Sequence, residues 1–343
     1  MDPGLLSDAE ALHRDALVVD LHNDVLITMR ATGLRLERRH RFHLPNHFGF
    51  WHTDLPRMIA GGMTGQFFGL VSLSVPERGC YRRVHTEIRR LQHAVARTDG
   101  RMRMARTAAD LRAAHRDGHI AAFMGAEGAH HLEGDPSRVH DLTRAGVRYL
   151  GLAHFSGNRF APAAKGPGSD NHGPLPGPGH ELIAEMNRCG MIVDLAHVGR
   201  QAFLDATRLA AGPVIVSHTG ICGVLDLWRN LTDEQVRAVA DTDGAIGIIF
   251  TGNFLAPPGS RNVAAVVDHM EHVRNLVGAR HVALGSDFDG LIMPVEGLED
   301  VSCLGNITAE LMRRGWAEQE IRGVLGENAA RVLQAHDARL GEG

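Results

Sequence analysis

The sequence predicts an α/β protein, a (β/α)8 TIM-type barrel with additional C-terminal helices. Three observations point there. Short apolar runs recur along the chain, amphipathic stretches separate them, and metal-ligand residue types follow directly after several runs. Strands alternating with helices from end to end are the pattern of a parallel barrel.

The runs are "LVVDL" (17–21), "GQFFGLVSLSV" (65–75), "IAAFMG" (120–125) and "VRYLGLA" (147–153), then "MIVDLA" (191–196), "PVIVS" (213–217), "AIGIIF" (245–250) and "HVALGS" (281–286). They are short, rich in branched residues and not cleanly alternating, as expected of strands buried on both faces. Between them, "YRRVHTEIRRLQHAVARTD" (81–99) has helical spacing, with its "RRVHTEIRR" portion read as a solvated face. "TAADLRAAHRDG" (107–118) begins at a threonine cap and ends at glycine, and "TDEQVRAVADTDG" (232–244) starts in the same way. Helices within "TAELMRRGWAEQEIRGVLGENAARVLQ" (308–334) are expected to pack outside the barrel. An open doubly wound sheet is the alternative, but no G-x-G-x-x-G or P-loop follows any run. With no internal repeat and no linker, residues 1–343 are expected to form a single domain, and the Gly/Pro-rich stretch 165–179 a long loop after the fourth run.

Composition excludes several function classes. A net charge of −4 argues against a general nucleic-acid or anionic-membrane surface. No stretch approaches the roughly 20 apolar residues of a membrane span. The start "MDPGLLSDAEALHRD" lacks a signal-peptide pattern and the end "QAHDARLGEG" offers no lipid-anchor tail, so a cytoplasmic protein is expected. Cys80, Cys189, Cys222 and Cys303 are scattered, which suits neither a disulfide framework nor a zinc-thiolate site. Histidine occurs 22 times and lysine once, as Lys165.

Barrel enzymes carry their chemistry at the C-terminal ends of strands. There the chain places His22 and Asp24 after the first run, Glu127 after the third and His154 after the fourth. His197 and His218 follow the fifth and sixth, and Asp287 and Asp289 follow the eighth. His22 and Asp24, two apart on an extended chain, point the same way and can chelate one cation. His197 and His218 can hold a second, and Glu127 can bridge. Oxygen and nitrogen ligands with open positions match catalytic rather than structural zinc. Two ions about 3.5–4 Å apart would generate a bridging hydroxide and polarise a carbonyl. The bridging alternative, a carbamylated lysine, would need Lys165, which sits in the Gly/Pro-rich loop. A carboxylate bridge is therefore expected.

From about residue 17 to 330 the chain resembles the renal (membrane) dipeptidase family of dinuclear zinc peptidases. The likeness rests on "DLHNDVL", "TDLPRMIAGGMTGQFF", "GAEGAHHLEGD", "AGVRYLGLAHFSGNRFA", "GMIVDLAHVG", "PVIVSHTG", "RNLTDEQVRAVADTDGAIGI" and "ALGSDFDG". The resemblance implies one zinc on His22, Asp24 and Glu127 and another on Glu127, His197 and His218. It also implies that His154 contacts the substrate carbonyl, that Arg229 grips a free carboxylate and that Asp287 shuttles the proton. A small dipeptide is the implied substrate, including one with a D-residue at the carboxyl end, and a homodimer the implied assembly. Ala129 in "EGAHH", where the family often has a second glycine, matches a bacterial branch with an EGA motif. Two alternatives stand beside this: a related amidohydrolase acting on N-acyl amino acids or another small carboxylate-bearing amide or lactam, and a non-catalytic metal- and ligand-binding barrel.

Other residues receive plainer expectations. "HRFHLPNHFGFWH" (40–52) is read as a loop over the mouth rather than a further metal site. Asp289 is expected to hydrogen-bond structurally, and His130 and His131 to sit solvated or paired in the turn beyond Glu127.

Overall fold

Parallel strands form one sheet that closes on itself in the computed structural model, which describes residues 3–40, 49–71 and 77–340. In chain order they are β1 Val19–Asn23, β2 Gly65–Val71, β3 Met102–Met104, β4 Ile120–Glu127 and β5 Val147–Gly151. β6 Ile192–Asp194, β7 Ile215–Thr219, β8 Ala245–Ile248 and β9 Val282–Leu284 complete the set. Neighbours run β2-β1-β9-β8-β7-β6-β5-β4, and pairing of β2 with β4 closes the ring. The ring strands are the predicted runs, and the fold is a (β/α)8 barrel. Of the second run, residues 72–75 lie outside the described residues.

β3 is an addition that the sequence reading did not anticipate. It pairs with Ile120–Ala122 at the start of β4, and β5 pairs further along with Met124–Ala126. A three-residue "MRM" segment is too short to show as an apolar run. Ring strands are buried along their length, which explains their lack of alternation.

The helix signals hold. Thr107 and Asp110 form a capping box before helix 108–117, and Gly118 ends that helix in the left-handed region. Thr232 and Gln235 do the same at helix 233–241. The amphipathic stretch forms helix Cys80–Ala96, with Val84, Ile88 and Leu91 buried. The long loop after β5 gives way to helix Gly177–Cys189.

The barrel interior is filled by Val19, Leu21, Phe67, Phe123, Tyr149, Ile192, Ile215, Ala245 and Ala283. Phe67 stacks on Phe123 and on Tyr149, with centroids 4.8 and 5.5 Å apart. Ala329, Ala330, Val332 and Leu333 of helix Asn328–Asp337 join this cluster, as does Leu17, which lies just before β1. The last helix thus closes the N-terminal mouth rather than only lining the outside. Chemistry is left to the opposite rim. No helix among the described residues is long and apolar enough to cross a membrane.

Candidate metal centre

Every candidate ligand leaves from the C-terminal end of a ring strand. His22 lies in β1, and Asp24 follows that strand directly. Glu127 is the last residue of β4, and His218 lies in β7. His154, His197 and Asp287 come three residues beyond β5, β6 and β9.

Two buried carboxylates shape the rim beneath them. Asp194 Oδ1 accepts from the backbone N–H groups of Ala196 and Ser217, and its Oδ2 accepts from Ser217 Oγ at 2.7 Å. Asp20 does the same at β9: Oδ1 accepts from His22 N and Ser286 N, and Oδ2 from Ser286 Oγ at 2.6 Å. Each clasp ties the end of one strand to its neighbour, and the ligand-type residue follows the serine. His197 and Asp287 take left-handed backbone angles, φ 67 and 61, which side chains other than glycine rarely adopt. Such strain persists where the surrounding structure fixes it.

The side chains converge. Asp24 Oδ1 lies 3.2 Å from His22 Nε2, and Asp287 Oδ1 lies 4.0 Å from the same nitrogen. Glu127 Oε1 lies 3.0 Å from His197 Nε2 and 3.4 Å from His218 Nε2. Its other oxygen, Oε2, lies 3.4 Å from His154 Nε2 and 3.8 Å from His22 Nε2. Glycine at 69 is required by this crowding, because a Cβ there would sit 2.3 Å from Asp24 Oδ1.

The residues fit a cation. Apart from the close approach of His22 Nε2 to Asp24 Oδ1, these two atoms and Glu127 Oε2 are buried and make no hydrogen bond among the described residues, which is costly unless a positive ion meets them. His197 Nε2 and His218 Nε2 face each other at 3.0 Å beside Glu127 Oε1. Three overlapping groups can each surround an ion: His22, Glu127 and His218; Glu127, His154 and His197; and His22, Asp24 and Asp287. Glu127 belongs to two of them.

Burial and mutual charge shift the titration of these groups. Burial pushes the Glu127 carboxyl well above its usual range, and burial with Asp24 pushes Asp287 up to about 8. Burial pulls His22 down, but Asp24 and Glu127 outweigh it and raise the imidazole to about 10. His154 falls to about 3 by burial, and burial with the Arg229 and His22 charges drives His197 and His218 well down. Neutral imidazoles are the form that binds metal.

Arg229 is buried rather than a surface arginine. It donates to His218 O at 2.7 Å and approaches His197 Nε2 at 3.3 Å, with no ion-pair partner among the described residues. Asp289 is structural, as expected: Oδ1 accepts from Thr28 Oγ1 and from the backbone of Trp51 and His52. His52 in turn accepts from Asp289 N, so it ties residues 51–52 to the turn after β9; of the stretch 40–52, residues 41–48 lie outside the described residues. His43 and His47 lie outside the described residues. His130 and His131 are both buried, which corrects the solvated option. His130 pairs with Ser156 Oγ.

Sequence reasoning missed Asp20, Asp194, Ser217, Ser286 and Tyr149. A signal existed: the aspartate of a recurring "VDL" lies two or three residues before a ligand-type histidine, in "VDLH" (19–22) and "VDLAH" (193–197).

A barrel with these carboxylates and imidazoles gathered on its C-terminal rim defines a metal-dependent hydrolase. Comparison narrows the class. The family model described as membrane dipeptidase (peptidase family M19) matches residues 6–340. Dipeptidase tcpJ of Claviceps purpurea is 36% identical over 294 residues, covering 82% of this chain and 69% of that protein. Dipeptidase verJ of Clonostachys rogersoniana is 32% identical, covering 96% and 87%. Among solved structures, the M19 metallopeptidase dipeptidase AC superposes with a TM-score of 0.81 at 29% identity, covering 94% and 98%. A metallopeptidase from Rhodobacter sphaeroides, liganded with a phosphinate mimic of L-Ala-D-Ala, gives 0.80 at 27% identity, covering 94% and 99%. The chain belongs to the membrane dipeptidase family, peptidase family M19. It is a metallopeptidase that hydrolyses dipeptides.

Proposed function

We propose that this dipeptidase uses two zinc ions bridged by Glu127, and that its substrates include dipeptides with a D-residue at the carboxyl end. One observation carries the metal assignment: the two oxygens of Glu127 serve different partners, Oε1 facing His197 and His218, Oε2 facing His22 and His154. His22, Asp24 and Glu127 would hold one ion; Glu127, His197 and His218 the other. When bound, such ions supply Lewis acidity toward water and toward the scissile carbonyl.

The chain's own groups do the rest. Arg229 presents a buried guanidinium whose planar fork matches both oxygens of the substrate's free carboxylate. His154, held neutral by burial, donates an N–H to the carbonyl oxygen as negative charge develops there. Asp287 faces the same space and takes a proton at its carboxylate, returning it to the leaving amine. The D-residue is supported by the mimic bound to the Rhodobacter sphaeroides relative. Residues 1–343 are taken as one domain, supported by contacts between the chain's two ends: His13 with Thr308, and Asp15 with Arg322.

A panel of dipeptides with free or amidated carboxyl ends tests these roles. Arg229→Ala should lower kcat/KM about 100-fold on free carboxylates and little on amides. Equal losses on both would remove the carboxylate role. Turnover of L-Ala-L-Ala without turnover of L-Ala-D-Ala would remove the D-residue.

A further inference from the structure

Two hydroxyl groups outside the ligand set touch two of its histidines on the far nitrogen. Tyr149 is fully buried inside the barrel, and its OH lies 2.8 Å from His22 Nδ1 and 3.1 Å from Leu21 O. Ser217 Oγ lies 2.9 Å from His218 Nδ1 and 2.7 Å from Asp194 Oδ2. Each hydroxyl has a single hydrogen to give. The carbonyl of Leu21 can only accept, so the Tyr149 hydrogen goes to it. Asp194, already accepting two backbone N–H bonds, takes the Ser217 hydrogen. Toward the imidazoles both hydroxyls are left as acceptors.

We propose that Tyr149 and Ser217 are positioning residues that hold His22 and His218 with hydrogen on Nδ1 and a bare Nε2 aimed at the metals, one hydroxyl for each half of the site. The inference rests on the two-ion reading above. The fold makes room for it: a Cβ on residue 125 would fall 1.9 Å from the Tyr149 ring, so the neighbouring strand carries Gly125. The hydroxyls approach from different directions, Tyr149 from β5 across the interior and Ser217 from the chain position beside His218. Their loss should therefore be felt at different ions.

The test is stepwise zinc binding against a competing chelator, with thermal unfolding of the metal-free proteins as a control for folding. Wild type should bind in two steps. Tyr149→Phe should weaken one step by about 10–100-fold, and Ser217→Ala should weaken the other by a similar factor. Metal-free unfolding temperatures would stay near wild type for Tyr149→Phe, whose ring is retained. Two normal steps in both variants would overturn the inference and leave the two-ion reading standing. Equal weakening of both steps by each variant would overturn it in favour of a general structural role. Failure of wild type to bind zinc at all would overturn both.

Discussion

The β9–β1 corner and the β6–β7 corner of the barrel are built alike and present different side chains. In each, a buried aspartate accepts two backbone N–H bonds and a serine hydroxyl from the adjoining strand, Asp20 with Ser286 and Asp194 with Ser217. In each, a histidine backs the following turn by accepting a backbone N–H: His52 from Asp289, and His269 from Ile221. What differs is the residue after the serine, Asp287 in one corner and His218 in the other. The clasp is scaffolding that fixes a direction. In the proposed function, the side chain placed in that direction decides between proton transfer and metal binding.

The largest expected effect separates those two outputs. Asp287→Asn should lower kcat about 1,000-fold while zinc content stays at the wild-type level, read by steady-state kinetics and elemental analysis. A variant that loses metal along with activity would make the β9 corner a metal corner like its counterpart, and the comparison would break.

Removing the clasps should come next. Asp20→Ala leaves Ser286 N and His22 N without their acceptor, while Ser286 Oγ keeps His22 O and Gln66 Nε2 keeps Phe67 O; Asp194→Ala orphans Ser217 N, Ser217 Oγ and Ala196 N. Buried donors left unpaired cost about 1–3 kcal/mol each before relaxation, so both variants should lose about 2 kcal/mol or more in urea unfolding. Asp194→Ala should lose the more. A loss below about 1 kcal/mol in either would show that the corner does not depend on its clasp.

A smaller effect is expected from pH at the histidine that backs the β6–β7 corner. His269 accepts from Ile221 N on Nδ1 and donates from Nε2 to Leu255 O, so it must be neutral; burial lowers it to about 4. The unfolded chain binds this proton near pH 6.5 and the folded one only near 4. Its contribution to stability is whole above pH 6.5 and is lost as pH falls toward 4. Hydrogen exchange at the Ile221 amide, corrected for the intrinsic pH dependence, should therefore quicken between pH 6.5 and 5 and return to its slow rate in a His269→Gln protein. Unchanged protection of Ile221 across that range would remove the acid-sensitive support.

Much of the fold was legible because parallel strands and capped helices leave local marks. Runs such as "AIGIIF" and "PVIVS" are buried on both faces, and Thr107 and Thr232 satisfy the first turns of their helices. The ligand types were legible because the barrel sends the ends of all ring strands to one rim. Tyr149 was not, because it reads as one more apolar position in "VRYLGLA" and meets His22 only after the sheet closes. Asp20 and Asp194 were hidden for a related reason: each looked like a polar residue ending a strand, while its partners come from a different strand. The closure of the lower mouth by helix 328–337 also depends on tertiary packing that helical spacing cannot specify.

The central claim is that Glu127 divides its two oxygens between two metal ions. Zinc stoichiometry of wild type and Glu127→Gln, measured by elemental analysis after zinc supplementation and gel filtration, tests it most directly. An amide keeps one acceptor oxygen and turns the other into an N–H2 donor, which cannot face a cation. Wild type should retain about two ions per chain and the variant about one, with activity lost. Two ions in the variant at wild-type affinity, or none in wild type, would contradict the account.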